Sequence, residues 1–441
     1  MKRKRVEQYV HSGLPLPRTL LVASFLALIS LLFPVVSPAL DLTGTSRSYL
    51  SYRETADKSK LLPAYEYLDF SMQKSADCSF SAHFGGWGRY DLMDESFGKK
   101  TDTDLQYGYL SYRKSTDNTV VNLGRVMVFD GVANERIDGI HARTDLKGGF
   151  GIAAFGGSPV ETGIDLPKNS TIYGARLSHE FSDIYKIGVS YLKEEKDNKE
   201  FRTEEGVDIS LQPMNKVSII GRSSYNSITS DWMEHSYALS LGPFDKLRLG
   251  ADFTKISYRD YFGYKDSLGT STISAFTFMP GILNLDEKLR TIGTSATYMV
   301  TDKVLVALDY KRYGYSVEGA APYYGGKIGC TSEAGGGGVS YHRMNGADSK
   351  LRYSEYRIYG YKKAGHADLG VELFDVAYDE KINGETNAYS ASIGAGYEVT
   401  EQLKLGADFE YAKNPDYDKD VRAFIKVIYK FGAEHGTKKG A

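Results

Sequence analysis

From Leu40 to Phe431 apolar and polar residues alternate with a period of two. Leu247, Leu249, Ala251 and Phe253 alternate with Arg248, Gly250, Asp252 and Thr254, and Leu403 to Tyr411 repeats the pattern. Val304, Val306, Leu308 and Tyr310 oppose Ala307, Asp309 and Lys311. Ile140, Ala142, Thr144 and Leu146 oppose His141, Arg143 and Asp145. At the end of the chain Val421, Ala423, Ile425, Val427, Tyr429 and Phe431 share one face. Period two is the signature of a strand with two unlike faces. Each segment runs for roughly 10 to 13 residues, the length of a tilted membrane strand. No stretch holds a 3.6-residue apolar period over three turns.

The connections alternate in length. Short turns carry Gly, Asn, Asp or Pro, as at Lys147-Gly148-Gly149, Pro213-Met214-Asn215 and Pro243-Phe244-Asp245, residues that supply turn geometry. Longer polar stretches follow the other ends: 91–103, 158–168, 193–201, 259–288 and 317–349. Short turns on one side and long loops on the other predict an all-β fold, a closed transmembrane antiparallel barrel over residues 40–431. About 20 strands fit, with 18 as the runner-up, both termini at the short-turn (periplasmic) end, and residues 432–441 as a short tail.

Two unlike faces also suit a soluble sandwich or propeller, so the polar face must decide. It carries full charges within strands: Arg176 and Glu180, Asp208, Arg222, Arg248 and Asp252, Asp368 and Glu372, Lys404 and Asp408. A dry core rejects such charges, whereas a wet lumen accepts them and lipid takes the apolar face. Tyrosines near segment ends (Tyr49, Tyr52, Tyr65, Tyr67, Tyr107, Tyr109, Tyr112) read as an interfacial girdle.

Composition agrees. The chain of 441 residues has 34 Tyr and 46 Gly against 12 Pro, a balance suited to a large sheet. Mean hydropathy is −0.36, so bulk hydropathy alone would pass for a soluble protein. The net charge of −2 gives no basic excess for nucleic acid. Two cysteines, Cys78 and Cys330, form no C-x-x-C or C-x-x-C-H pattern, which argues against structural zinc and covalent haem. On this topology they lie at opposite ends and stay unpaired. Lys2, Arg3, Lys4, Arg5 and Arg18 precede an uncharged run from Leu20 to Val36, and Ser37-Pro38-Ala39 follows. That order reads as a signal peptide, residues 1–39, cleaved after Ala39.

The last strand, ending on Tyr429-Lys430-Phe431, resembles the insertion signal of Gram-negative outer-membrane barrels, ten residues longer than usual. Leu123-Gly124-Arg125, followed by Glu135-Arg136-Ile137-Asp138-Gly139, is similar to the Gly-Arg strand end and Ile-Asp-Gly strand start of porins. The resemblance implies an outer-membrane location, insertion by the barrel assembly machinery into outer-membrane lipid, and passive diffusion of small hydrophilic solutes past an inward loop. Asp130, Glu135, Arg136 and Asp138 are then the constriction candidates, with charges of both signs setting a transverse field. The lumen-lining candidates are His141, Arg143, Asp145, Arg176, Glu180, Arg222, Arg248, Asp252, Asp309, Lys311, Asp368, Glu372, Lys404 and Asp408.

A second reading by analogy is a barrel sheath around multihaem cytochromes, an electron conduit in which this chain itself binds no haem. An enzyme is a weaker reading. The seven histidines after Ala39 form no recognisable triad by sequence, and G-x-S-x-G is absent. Gly85-Gly86-Trp87-Gly88 and Gly335 to Gly338 lack the Lys-Ser/Thr of a phosphate loop, and the latter is expected in or beside the large loop after Tyr315. Asp91, Asp94 and Glu95 lack EF-hand spacing. No metal, no cofactor and no nucleic-acid partner are expected.

Overall fold

The computed structural model describes residues 40–54, 58–74, 79–96, 98–114, 116, 118–160, 169–261, 263–265, 272–274, 286–317 and 319–432. The signal-peptide segment, Cys78 and the tail beyond Gly432 lie outside the described residues.

Twenty-two long strands form the wall. They are β1 Leu40–Glu54, β2 Pro63–Lys74, β3 Phe80–Asp91, β4 Thr101–Lys114, β5 Thr119–Asp130 and β6 Ala133–Asp145. Next come β7 Phe150–Pro159, β8 Ser170–Phe181, β9 Tyr185–Lys196, β10 Lys199–Met214, β11 Val217–Asn226, β12 Asp231–Phe244 and β13 Leu247–Ser257. After a long loop follow β14 Lys288–Met299, β15 Val304–Tyr315, β16 Gly319–Ser332, β17 Gly335–Asn345 and β18 Arg352–Ala364. The wall ends with β19 Ala367–Ile382, β20 Glu385–Glu398, β21 Leu403–Asn414 and β22 Tyr417–Gly432. Each strand pairs antiparallel with its sequence neighbours, and β22 pairs with β1 from Thr43↔Gly432 to Arg53↔Arg422. The sheet therefore closes on itself, which is what lets a β wall satisfy its backbone in lipid.

Alternation sets the two faces. Leu110, Leu308, Leu373 and Ile425 point outward and are more than half exposed. Such an apolar belt is tolerable only under lipid or a partner surface. The alternate residues form the inner face, where Lys404 Nζ meets Asp368 at 3.2 Å, Lys426 meets Asp408 at 3.2 Å and Lys311 meets Asp252 at 3.7 Å.

Twenty-two strands exceed the expected twenty because residues 319–345 are wall. The stretch read as one loop, 317–349, is a β16–β17 hairpin with its turn at 333–334. Its glycines, Gly335 to Gly338, hide the alternation by offering no side chain to either face. The hairpin reverses the chain once more and carries Cys330, exposed and free, to the short-turn end. The expectation that Cys330 sits at the loop end is thus corrected. Residues 193–201 are also strand rather than loop, apart from a two-residue turn at 197–198. Gly432 belongs to β22 rather than to the tail.

The tyrosine girdle needs correction too. Tyr52 and Tyr112 lie on the outer face, but Tyr49, Tyr65, Tyr67, Tyr107 and Tyr109 occupy the inner one. Leu50, next to Tyr49, pairs with the outward Ile425, which fixes the parity of β1. Tyr49 then opposes Tyr65 on β2. Proximity to a segment end does not reveal the face; register does.

Candidate functional site: an inward hairpin and its seat

The β5–β6 ladder runs unbroken from Val120↔Arg143 to Asp130↔Ala133. Its attachment to the rest of the wall stops earlier. β5 pairs with β4 only as far as Arg125, and β6 pairs with β7 only from Ile137. Residues 126–136 therefore form a two-stranded ribbon outside the wall ladders, turned by Gly131 and Val132.

A row of glycines lets the ribbon leave the wall. Gly124 opposes Gly139, and Gly139 opposes Gly157. Gly124 has φ +131°, a backbone that side-chain-bearing residues rarely adopt. A Cβ on Gly139 would sit 2.1 Å from the Gly156 carbonyl oxygen. The row is thus a place where two strands bend sharply together.

The ribbon folds against the inner wall of β6 to β10. Val126, Val128 and Ile137 pack with Phe155, Ile172 and Leu192 into a fully or nearly fully buried cluster. Ile172, Leu192 and Phe155 point into the lumen, since Tyr173, Leu177, Val189 and Ile152 on the same strands point out. Apolar residues there make sense only with a cover, and the ribbon is that cover. At the tip, the Val132 amide donates to Ser190 Oγ at 3.0 Å. Gly131 rests on Ser190, where a Cβ would fall 2.1 Å from Oγ. Burial of a Leu- or Ile-sized chain contributes about 1.5–3 kcal/mol, so several together fasten the ribbon firmly.

The four constriction candidates all fall on this hairpin, and each has its own partner. Asp130 Oδ2 lies 2.7 Å from His141 Nε2 on the wall beneath. Glu135 pairs with Arg202 of β10. Arg136 Nη1 donates to Asp104 of β4 at 2.5 Å. Asp138 accepts two bonds from Arg125, at 2.6 and 2.7 Å. The charges of both signs expected to set a transverse field thus meet these partners at contact distance. Asp130 and Glu135 serve the seat, and the other two are neutralised at contact distance.

The face of the ribbon turned away from the seat follows from register. Met127 shares it with Arg136, Arg125 with Asp138, and Phe129 with Asn134. Phe129 is 68% exposed there. Around Arg202 the wall supplies two further carboxylates, Glu194 at 3.5 Å and Glu204 at 3.6 Å, and Lys196 lies 3.5 Å from Glu194. A loop above approaches the same group. Buried Asn226 donates to the carbonyls of Asp260 and Gly263 at 2.8 Å each. That anchors the single helical turn α1, Tyr258–Tyr261. Burial, reinforced by the charge of Glu234, holds the Tyr261 hydroxyl above the usual tyrosine range.

All fourteen lumen-lining candidates occupy inward positions by alternation and register. Arg176 bonds Asp208 at 2.5 and 3.1 Å, Arg222 pairs with Glu234 at 2.8 Å, and Asp309 meets His342 at 3.0 Å. Arg357 meets Glu372 at 2.7 Å and Lys186 meets Glu180 at 3.0 Å. His141, Arg143 and Asp145 line β6, and Arg248 lines β13. Sequence reasoning missed the seat (Phe155, Ile172, Leu192) and Gly157 of the glycine row, and named Gly124 and Gly139 only as parts of the porin-like motif. The usable signal was apolar residues on both faces of β8 and β9, and glycines at matching register on adjacent strands. Among the described residues no three His, Cys, Asp or Glu side chains converge as metal ligands would.

These features define a closed antiparallel β-barrel of the outer-membrane type whose lumen holds a docked hairpin. The fold is similar to the translocation pore of the P pilus usher PapC, with TM-score 0.51 and 8% identity over 88% of this chain and 99% of that one. It is similar to the ferric enterobactin receptor PfeA of Pseudomonas aeruginosa, with TM-score 0.54 and 11% identity over 89% and 80%. OccAB4 of Acinetobacter baumannii aligns over 90% of this chain and 99% of its own, with TM-score 0.44 and 10% identity. At these identities the likeness is one of fold. No protein-family model and no curated protein matches the sequence.

Proposed function

We propose that the protein is an outer-membrane pore for passive passage of small hydrophilic solutes, with no enzymatic step, narrowed by hairpin 126–136. One observation carries this reading: a closed wall whose inner face bears charged pairs on many strands has, among the described residues, one ribbon docked to one side. A wet, charged wall suits water and polar solutes, and a docked ribbon narrows the route while leaving the opposite wall clear of it. Residues 1–39 act as the cleaved export signal, and insertion depends on the barrel assembly machinery. N-terminal sequencing of the mature protein should begin at Leu40.

Planar-bilayer conductance of the detergent-purified protein is the direct test. Discrete, ohmic openings are expected. The cytochrome-sheath reading predicts instead a haem-staining partner in stoichiometric amount and a blocked lumen, and that result would replace the pore. The ribbon favours the pore, because it occupies wall surface that a lumen-filling cytochrome would need.

A further inference from the structure

The inner wall beside the closure seam carries more aromatic surface than an aqueous pore requires. Phe424 of β22 stacks on Tyr49 of β1 with ring centres 5.1 Å apart, and Tyr49 meets Tyr67 of β2 edge-on at 5.5 Å. Tyr65 and Tyr67 each lie 6.2 Å from Trp87 of β3. The path continues on β4. Tyr107 lies over Gly85, where a Cβ would fall 2.3 Å from the ring. Tyr107 is 6.1 Å from Tyr109, which stacks on His83 at 4.9 Å. Tyr109 also packs against the buried hairpin cluster. Two aromatic groups, one around Trp87 and one around Tyr109, thus follow each other along the wall across Gly85, and the second ends beside the narrowing. Their tyrosines and Trp87 are half-buried: each rests on its neighbours and leaves part of its ring free.

Three cations beside this path are each paired with a carboxylate. Arg47 pairs with Asp69 at 3.0 Å. Asp104, opposite Trp87, is paired with Arg136. Lys426, opposite Tyr49, is paired with Asp408. An aromatic carboxylate would need an uncompensated cation here, and these cations are already matched. A neutral ring bearing hydroxyls needs what the path supplies. Its polarised C–H groups rest on the negative faces of aromatic rings, and its hydroxyls exchange hydrogen bonds with both donors and acceptors at the margins. The ring spacing is comparable with the repeat of a linear oligosaccharide.

We infer that this path binds neutral saccharides as they pass the hairpin, an inference that rests on the pore reading. The test measures current through full-length protein in planar bilayers as maltotriose is titrated. Saturable block is expected. Trp87→Ala should raise the half-blocking concentration up to about tenfold, the loss of one good aromatic contact. Trp232→Phe, on the outer face, should leave the block intact. Benzoate, a comparable ring carrying a carboxylate, should block much less. Block by benzoate without maltotriose, or maltotriose block indifferent to Trp87→Ala, overturns the saccharide path and leaves the pore standing. Absence of conductance defeats the pore instead. Fluorescence then decides the site alone, since the chain has two tryptophans and Trp232→Phe isolates Trp87. A saturable emission change with maltotriose supports the path, and a flat titration overturns it.

Discussion

Adjacent residues of one strand face opposite solvents, so neighbouring substitutions should behave oppositely. Leu308 is 61% exposed near the middle of β15. Leu308→Arg should lower barrel stability in bilayers by about 2–4 kcal/mol, the cost of a cation near mid-membrane, measured by urea unfolding from lipid vesicles. Ser295, inward on β14 and exposed, should accept Arg within about 0.5 kcal/mol. Equal losses at both positions would refute the assignment of faces. Asp420 is another test. It is fully buried at the seam, bonded to Arg422 at 2.6 Å and to Arg53 at 3.2 Å. Asp420→Asn should cost about 1–3 kcal/mol in the same assay, because two guanidinium groups lose the negative charge they share. At this scale the sequence was informative about charge and silent about pairing. Arg136 and Asp138 could be named as candidates, but that Arg125 neutralises Asp138 depends on the register of the hairpin, and that Asp104 neutralises Arg136 depends on a strand outside it. Tyr49 and Tyr67 look like girdle residues until register places them inside.

The ribbon 126–136 is the element whose behaviour separates fold from function. Its seat can be spoiled without touching the wall's backbone. Leu192→Ser with Ile172→Ser should free the ribbon, giving larger or noisier single-channel conductance while the heat-modifiable folded band on gels persists. Loss of the folded band would show that the seat supports the wall itself. Gly139→Val should act through geometry, since a side chain there meets the Gly156 carbonyl. The expected outcome is poor folding, or a barrel whose hairpin is protease-accessible at Phe129. Strands with clean alternation were readable from sequence because hydrocarbon and water enforce period two along them. β16 and β17 were not, because Gly335 to Gly338 carry no side chain to mark a face. Their register explains them. Tyr359 and Tyr361 of β18 lie over Gly338 and Gly336, and a Cβ there would sit within about 3 Å of the rings. The bend at Gly124 and Gly139 was half legible, as a motif similar to that of porins. Its docking partner was hidden because Ile172 and Leu192 look like ordinary strand residues.

Closure joins the first strand to the last, so the longest-range pairing in the chain is also the one that completes the wall. Such a contact is costly in loop entropy and forms late. The fold class was legible because every strand repeats one physical rule. The count was less so, since one concealed hairpin shifts it by two. The ribbon also has a consequence for how such a protein changes over time. Its alternate residues answer to different masters: Val126, Val128 and Ile137 hold it down, while Arg125, Met127, Phe129 and Asp138 meet whatever passes. A lineage can therefore retune what it admits by editing every second position, and the anchorage never has to be renegotiated.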